Sequence, residues 1–387
     1  MKKQIHFSSQ IFLLFIATRI ILFVSVPYEV IPGYGDYWNF FSQAKLGVPF
    51  IEFWTEFPPL FPFLSKIIYE LVGGIESRYG YAVAITISLF QAGSLALVFR
   101  LAQDIYNKKN GTERIWIYFV LTVGLFYTWS YFDPIAVFFA LLGIYWLISG
   151  EDHLAALAIG LGVLTKWFPL LVLPAIWKMQ DRRKALIITS IVLAIVIMVW
   201  GGLYFLNPEF TLASLSSQVN KGSWESIWAL IDNNLTTGNF SSQINRLDPA
   251  TVSLSTGNPA IIPTWITLIL FGGLGLFFLI KANLDSTKKL ISFIGLTQII
   301  FFLWSPGYSP QWVLFLLPFM FICLDKNEAY LMSTIFILIN LLEWPLLLSR
   351  GNFGSLFYLI PLRTIMMIFL GLRFYLISLD HYKVQQG

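Results

Sequence analysis

Long apolar blocks alternate with short polar segments over the whole chain. A helix that crosses a bilayer needs roughly 20 mostly apolar residues. On that criterion spanning helices are predicted over 8–27, 80–103, 115–131, 134–149, 185–206, 262–282, 289–304, 311–324, 329–349 and 356–378. The block 154–177 is apolar but interrupted by Lys166, Pro169 and Pro174, and reads as two short helices that meet near Lys166. The polar segments carry basic clusters: Lys2 and Lys3; Lys108, Lys109 and Arg114; Lys178, Arg182, Arg183 and Lys184; Lys281, Lys288 and Lys289. Basic loops stay on the cytoplasmic side. Placing all four clusters there makes the 154–177 block cross out and back. The pattern then predicts an all-α, polytopic transmembrane bundle of about twelve crossings with both termini inside. Residues 1–387 read as one transmembrane domain. The opposite face receives the long loops 28–79 and 207–261, the turn at Asp133, the break at Lys166 and the turn 305–310. The stretch 58–71, opened by Pro58 and Pro59, reads as an interfacial or re-entrant helix.

Composition sharpens this. Hydrophobic residues make up 57% of the 387 and charged residues only 12%, about half the charged share of soluble domains. Because the apolar blocks are spread throughout, a soluble domain on one anchor is excluded. The net charge of +4 gives no reason to expect nucleic acid. The single cysteine, Cys323, lies in an apolar run and reads as a small hydrophobe. The basic start resembles a signal peptide, but Arg19 interrupts 11–27 and no small-residue cleavage site follows, so a retained first helix is expected. A multi-pass protein of the plasma membrane follows, with the lipid bilayer as its surroundings.

The candidate chemistry falls on the predicted outer face. Gly33, Tyr34, Gly35, Asp36, Tyr37 and Trp38 put a carboxylate in a glycine-flexed aromatic loop, suited to a general base or simply a solvated turn. Asp133, followed by Pro134 and an apolar run, reads either as a helix cap with proline at the first helical position or as a second acid level with Asp36. Lys166 is a charge inside an apolar block; it either faces a cavity and an anionic partner or snorkels to headgroups. Lys221, Trp224, Glu225 and Trp228 bring aromatics and a carboxylate into one loop, the makings of a sugar site or of an aromatic belt. Trp304 to Trp312 form a rigid turn containing Tyr308 and Gln311. Glu343 and Arg363, at similar depth in the last two helices, read as a buried ion pair. The histidines His6, His153 and His381 fall on the cytoplasmic side, so no metal is expected at the outer site. No glycine-rich nucleotide loop is present, which favours a lipid-borne donor over a nucleotide sugar.

Taken in order, several segments resemble the GT-C superfamily of membrane glycosyltransferases, in particular the polyprenol-phosphate-mannose-dependent mannosyltransferases of bacteria and archaea. They are Asp36 in the first outer loop; Glu56, Phe57, Pro58, Pro59 and Leu60; Phe132, Asp133, Pro134, Ile135 and Ala136; Leu164 to Pro169 around Lys166; and Ser309, Pro310, Gln311 and Trp312. The stretch from Ser223 to Leu230 adds to the likeness, which runs from about 30 to 320. The resemblance implies an extracytoplasmic active site and a polyprenyl-phosphate sugar as donor, with mannose the expected sugar and a glycolipid, glycan or protein as acceptor. It implies Asp36 as the catalytic base, with the donor phosphate met by Lys166 or an arginine. Glu56, Asp133, Trp224, Glu225, Tyr308 and Gln311 are the expected substrate contacts. Many members carry paired acids where this chain has Gly35 and Asp36, and neither metal nor other cofactor is expected. Two rivals are a transporter or flippase for a lipid-linked sugar, which would show an inverted repeat and midplane charges, and a glycan polymerase or ligase, which would pair outer arginines. Arg78, Arg246 and Arg350 show no pairing in the sequence.

Overall fold

The computed structural model describes residues 2–106, 108–217, 220–240, 243–254 and 257–379. The side chains of Lys2, Lys3, His6 and Lys108, and all of His381, lie outside the described residues. Described residues form helices and no named strand. In chain order the α-helices are α1 (Lys2–Ser25), α2 (Tyr37–Leu46), α3 (Leu60–Leu71), α4 (Glu76–Ile105), α5 (Lys108–Val123), α6 (Tyr127–Ser130), α7 (Asp133–Ile148), α8 (Asp152–Val163) and α9 (Leu173–Met179). There follow α10 (Arg182–Leu206), α11 (Pro208–Ser216), α12 (Ile227–Ile231), α13 (Thr264–Lys281), α14 (Thr287–Trp304), α15 (Val313–Cys323), α16 (Lys326–Leu341) and α17 (Leu356–Ser378).

Among the described residues, seven helices are long and apolar enough to cross a membrane: α1, α4, α10, α13, α14, α16 with its continuation to Arg350, and α17. This is a helical membrane protein. Four more apolar helices are shorter: Asp133–Ile148, Asp152–Val163, Phe168–Met179 and Pro310–Cys323. A 12-residue helix such as α8 is only about 18 Å long at 1.5 Å per residue, against a hydrocarbon core of about 30 Å. Length alone therefore does not make these four crossings.

The bundle is organised around α15, whose residues are all buried; a helix apolar on every side belongs in a core. Cys323 at its end is fully buried, as a small hydrophobe should be. At the other extreme α13 is only 6% buried and turns Ile269, Leu270 and Ile280 outward, which is what a lipid-facing helix does. The main helix pairs are α7 with α8, α14 with α17, and α4 with both α1 and α7. Glycines set the close approaches: a Cβ at Gly143 would lie 2.7 Å from Ile159, and one at Gly295 2.7 Å from Phe374.

Two predicted helices are broken where the sequence allows it. The block 115–131 ends as α5 at Val123 and resumes as the short α6 after Gly124. The block 329–349 passes into a π-helical stretch, Leu342–Leu347, around Pro345; proline removes a backbone donor and forces such a local rearrangement.

The ends of the bundle differ in chemistry. At one end Arg114 donates to the carbonyls of Phe321 and Leu324 at 3.1 and 2.7 Å. There too Lys326 pairs with Glu113 at 2.7 Å, Lys178 donates to the Ile280 carbonyl at 3.1 Å, and Lys184 meets Asp152 at 3.8 Å. The described basic clusters therefore share one end. The other end collects the two long loops, which are tied together through Trp54, whose Nε1 donates to the Asn245 and Asp248 carbonyls at 3.2 Å each.

Candidate active site

At that loop-bearing end lies a cavity of about 1480 Å³. Asp36 is on its wall. The residue stands at the N-terminus of α2, yet its side chain makes no cap hydrogen bond, and among the described residues it forms no ion pair. The backbone around it is held from three sides. The Asp36 N–H donates to the Ser130 carbonyl at 3.3 Å. Tyr131 Oη and Trp344 Nε1 donate to the Tyr34 carbonyl at 3.0 and 2.8 Å. Gly35 packs so closely on Ser130 that a Cβ there would lie 2.4 Å from the Ser130 Cβ and 2.7 Å from its carbonyl oxygen. Gly35→Ala must therefore push the loop off Ser130. It is expected to destabilise the protein by about 1–3 kcal/mol, the usual cost of overpacking, read as a lower unfolding midpoint in detergent; an unchanged midpoint would mean that the loop is not packed this way.

The Asp36 carboxyl is half-buried. Burial is the main reason that it is pushed up to about 7, aided by the nearby negative charges of Glu56 and Asp133 and opposed by Lys166 and Lys221. A carboxyl poised near neutrality and free of a fixed partner is what a general base requires.

Three cations line the same cavity, and they differ in how they are engaged. Lys166 sits in the break between α8, which ends at Val163, and the 3-10 turn Phe168–Val172, at whose start Pro169 stands. Its Nζ is 2.5 Å from Asp133 Oδ1 and 5.3–5.6 Å from the ring centres of Phe132, Phe168 and Trp312. Lys166 thus faces a cavity rather than headgroups. Asp133 begins α7 without acting as its cap: its carboxylate, 1% exposed, turns to Lys166, because an unpaired lysine in so apolar a setting costs more than an unmade cap bond. It stands behind Lys166, outside the cavity lining. Arg246 embraces Glu56 with two bonds of 2.5 and 3.0 Å, and Asn39 adds a long contact of 3.5 Å. Burial alone would raise the Glu56 carboxyl, but Arg246 and Lys221 outweigh it and hold it below its usual value. Arg246 is thus paired with an acid 190 positions away, a pairing invisible in the sequence. Lys221 is different. Its Nζ donates to the Gly238 carbonyl at 2.9 Å and stands 4.1 Å from the Phe240 ring centre and 5.2 Å from that of Trp224. Among the described residues no carboxylate pairs with it. Burial, tempered by Glu56, brings it down to about 8.

Trp224 forms an aromatic wall. It is clamped to the 305–310 turn by two backbone bonds, Trp224 N–H to the Pro306 carbonyl at 3.3 Å and Tyr308 N–H to the Trp224 carbonyl at 3.0 Å. The indole covers Gly307, where a Cβ would fall 2.3 Å from the ring. Trp224, Glu225 and Gln311 line the cavity; Tyr308 is buried beneath, 4.0 Å under the Arg363 guanidinium, and does not. Arg363 also donates to Glu343, the ion pair expected from the sequence, and to the backbone carbonyl of Glu225.

The structure thus brings Asp36, Glu56, Lys166, Trp224, Glu225 and Gln311 to one cavity and leaves Asp133 and Tyr308 in its supporting layer. Lys221, which opens the aromatic loop in the sequence, and Arg246 were not expected as site cations; cations in an aromatic-rich outer loop were the available signal. Among the described residues no group of three or more His, Cys, Asp or Glu side chains is placed to hold a metal ion. The lining offers a carboxyl near neutrality, cations able to meet an anion, and flat aromatic faces, a set suited to a phosphorylated or glycosylated ligand. Neither a protein-family model nor a curated protein matches the chain.

Proposed function

We propose that this protein is a polytopic glycosyltransferase of the GT-C type, with about twelve crossings. On this reading it moves a sugar, mannose by the resemblance, from a polyprenyl-phosphate donor to a glycolipid, glycan or protein acceptor. The observation that carries the reading is Asp36: a carboxyl without a cap bond or, among the described residues, an ion partner, held near neutrality, on the wall of a cavity that also holds Lys221, Lys166 and the Trp224 ring.

The chemistry that these residues support is a displacement at the anomeric carbon. An acceptor hydroxyl gives its proton to an Asp36 oxygen as its own oxygen bonds to the anomeric carbon. The bond from that carbon to the phosphate oxygen breaks, and polyprenyl phosphate leaves with the electron pair. The leaving group is already a stable anion, so no acid is needed; Lys221 and Lys166 compensate its charge. Trp224 and Gln311 hold the sugar, one by its face and the other by its hydroxyls. The direct test is incubation of the purified protein with labelled polyprenyl-phosphate mannose and a membrane acceptor fraction. Label should pass to the acceptor as polyprenyl phosphate is released. A lipid carried between vesicle leaflets with its sugar intact would instead establish the flippase reading.

The reading requires the loop-bearing end to face outward at the plasma membrane. Ser42 on α2 is exposed. A Ser42→Cys variant in a Cys323→Ala background should react with a membrane-impermeant thiol reagent in intact cells. Labelling only after lysis would reverse the orientation.

A further inference from the structure

The transfer step makes no use of Arg19, the charge that interrupts the apolar run of α1. It stands six residues before the helix ends at Ser25, about 9 Å along the axis at 1.5 Å per residue. Its side chain is buried, 1% exposed. A guanidinium keeps its charge, and a charge inside a spanning helix is costly and usually pairs with an acid or faces water. Arg19 does neither. Among the described residues no carboxylate pairs with it, and its Nε and Nη1 have no hydrogen-bond partner. Its surroundings are aromatic instead: the guanidinium carbon lies 4.4 Å from the ring centre of Trp129, 4.9 Å from that of Phe15 and 5.9 Å from that of Phe23. Its Nη2 donates to Thr128 Oγ1 at 2.8 Å, and that hydroxyl donates onward to the Leu125 carbonyl at 2.7 Å.

Thr128 and Trp129 belong to α6, and α6 carries the Asp36 loop. Four residues make a single helical turn, too short to hold its shape unaided, and Gly124 separates it from α5. Its stability must come from what it touches. On the cavity side the Trp129 carbonyl accepts from Tyr37 Oη at 2.6 Å, the Ser130 carbonyl accepts from the Asp36 N–H at 3.3 Å, and Gly35 packs against Ser130. On the opposite side Arg19 holds Thr128 by its hydroxyl and Trp129 by its ring. Tyr127 adds a bond from its Oη to the Asn340 carbonyl at 3.0 Å. The one turn is thus gripped by Arg19 below and grips the residues around Asp36 above.

We infer that Arg19 is a positioning residue: its guanidinium, lying over Trp129 and bonded to Thr128, clamps α6 from the membrane side and so fixes where α6 sets Asp36 in the cavity. Its effect on transfer rests on the reading of Asp36 as the base. Stability alone would favour an apolar residue here, since methionine fills a similar space without a buried, uncompensated charge. The cation does two things that methionine cannot. Its attraction to the ring face fixes the indole, and its N–H reaches the Thr128 oxygen, which has lone pairs to spare after donating its own proton.

The first test needs no substrate. In Arg19→Met, in detergent, the Asp36 amide should exchange its hydrogen about tenfold faster than in wild type, because its bond to Ser130 opens more often, while the unfolding midpoint stays unchanged or rises. Wild-type protection of that amide would overturn the clamp. So would a lowered midpoint with faster exchange throughout the protein, which is general destabilisation. Should Arg19→Met fail to fold, Thr128→Val decides: it removes the acceptor and leaves the cation, and unchanged protection of the Asp36 amide would overturn the clamp equally. The second test is kinetic. Arg19→Met should lower kcat by about tenfold with donor KM within about threefold of wild type, since the phosphate cations are untouched. Arg19→Lys, which keeps a cation over the indole, should retain most of the rate. A raised donor KM at unchanged kcat, or a lysine variant no better than methionine, would overturn the positioning role. Absence of transfer in wild type would sink the glycosyltransferase reading instead, with amide exchange still deciding the clamp.

Discussion

Asp36→Asn is expected to lower single-turnover transfer by at least about 10²-fold, the low end for the loss of a general base, with little change in protein level or donor affinity. Asparagine preserves shape, and the wild-type carboxyl has no cap bond and, among the described residues, no ion pair to lose, so a fall in rate without a fall in stability isolates the proton transfer. The pH dependence supplies a second signature. A base must be deprotonated to act, so kcat/KM should rise with pH through about 7, where the Asp36 carboxyl titrates. It should fall again above about 8, where Lys221 loses the charge that meets the phosphate. In Asp36→Asn the rising limb should vanish, and in Lys221→Met the falling limb. A rising limb that survives in Asp36→Asn would place the base elsewhere.

Lys166→Met should have the largest effect among the cations, and it acts twice. Removing the ammonium leaves the Asp133 carboxylate, 1% exposed, without a counter-charge, which costs about 3–5 kcal/mol of stability. If Lys166 also touches the donor phosphate, donor affinity falls by about 2–5 kcal/mol. The double variant Asp133→Asn with Lys166→Met separates the two, because it removes both charges and leaves a neutral amide beside the methionine. Its unfolding midpoint should recover most of the loss, while equilibrium binding of polyprenyl phosphate stays weak. Recovery of both would leave Lys166 as the counter-ion of Asp133 alone, with Lys221 carrying the phosphate. For the same reason Asp133→Asn by itself should destabilise by more than a lost helix cap, since it strands the ammonium.

The helices were largely legible because a hydrocarbon environment demands unbroken apolar runs, and the break at Lys166 because two prolines and a charge cannot continue a buried helix. The Glu343–Arg363 pair was legible from matching depth on neighbouring helices. What the sequence hid was pairing over distance. Glu56 and Arg246 lie 190 positions apart, on loops without periodicity, so nothing local marks them as partners. The Asp133–Pro134 motif looked like a cap because the local rule favours one; the tertiary demand of Lys166 overrode it. Lys221 looked like any loop lysine until the fold placed Phe240 and the Gly238 carbonyl beside it. The crossing count escaped for a simpler reason: α8 and α9 have 12 and 7 residues, lengths from which hydropathy alone cannot distinguish a re-entrant arm from a span.

The central claim is that Asp36 deprotonates an acceptor as a lipid phosphate departs. It is tested most directly by rapid-quench single turnover of purified protein with labelled polyprenyl-phosphate mannose and acceptor, following both products. The prediction is equal amounts of glycosylated acceptor and free polyprenyl phosphate appearing at one rate in wild type, and neither on that timescale in Asp36→Asn that still binds donor. Wild-type release of both products by Asp36→Asn would contradict the claim.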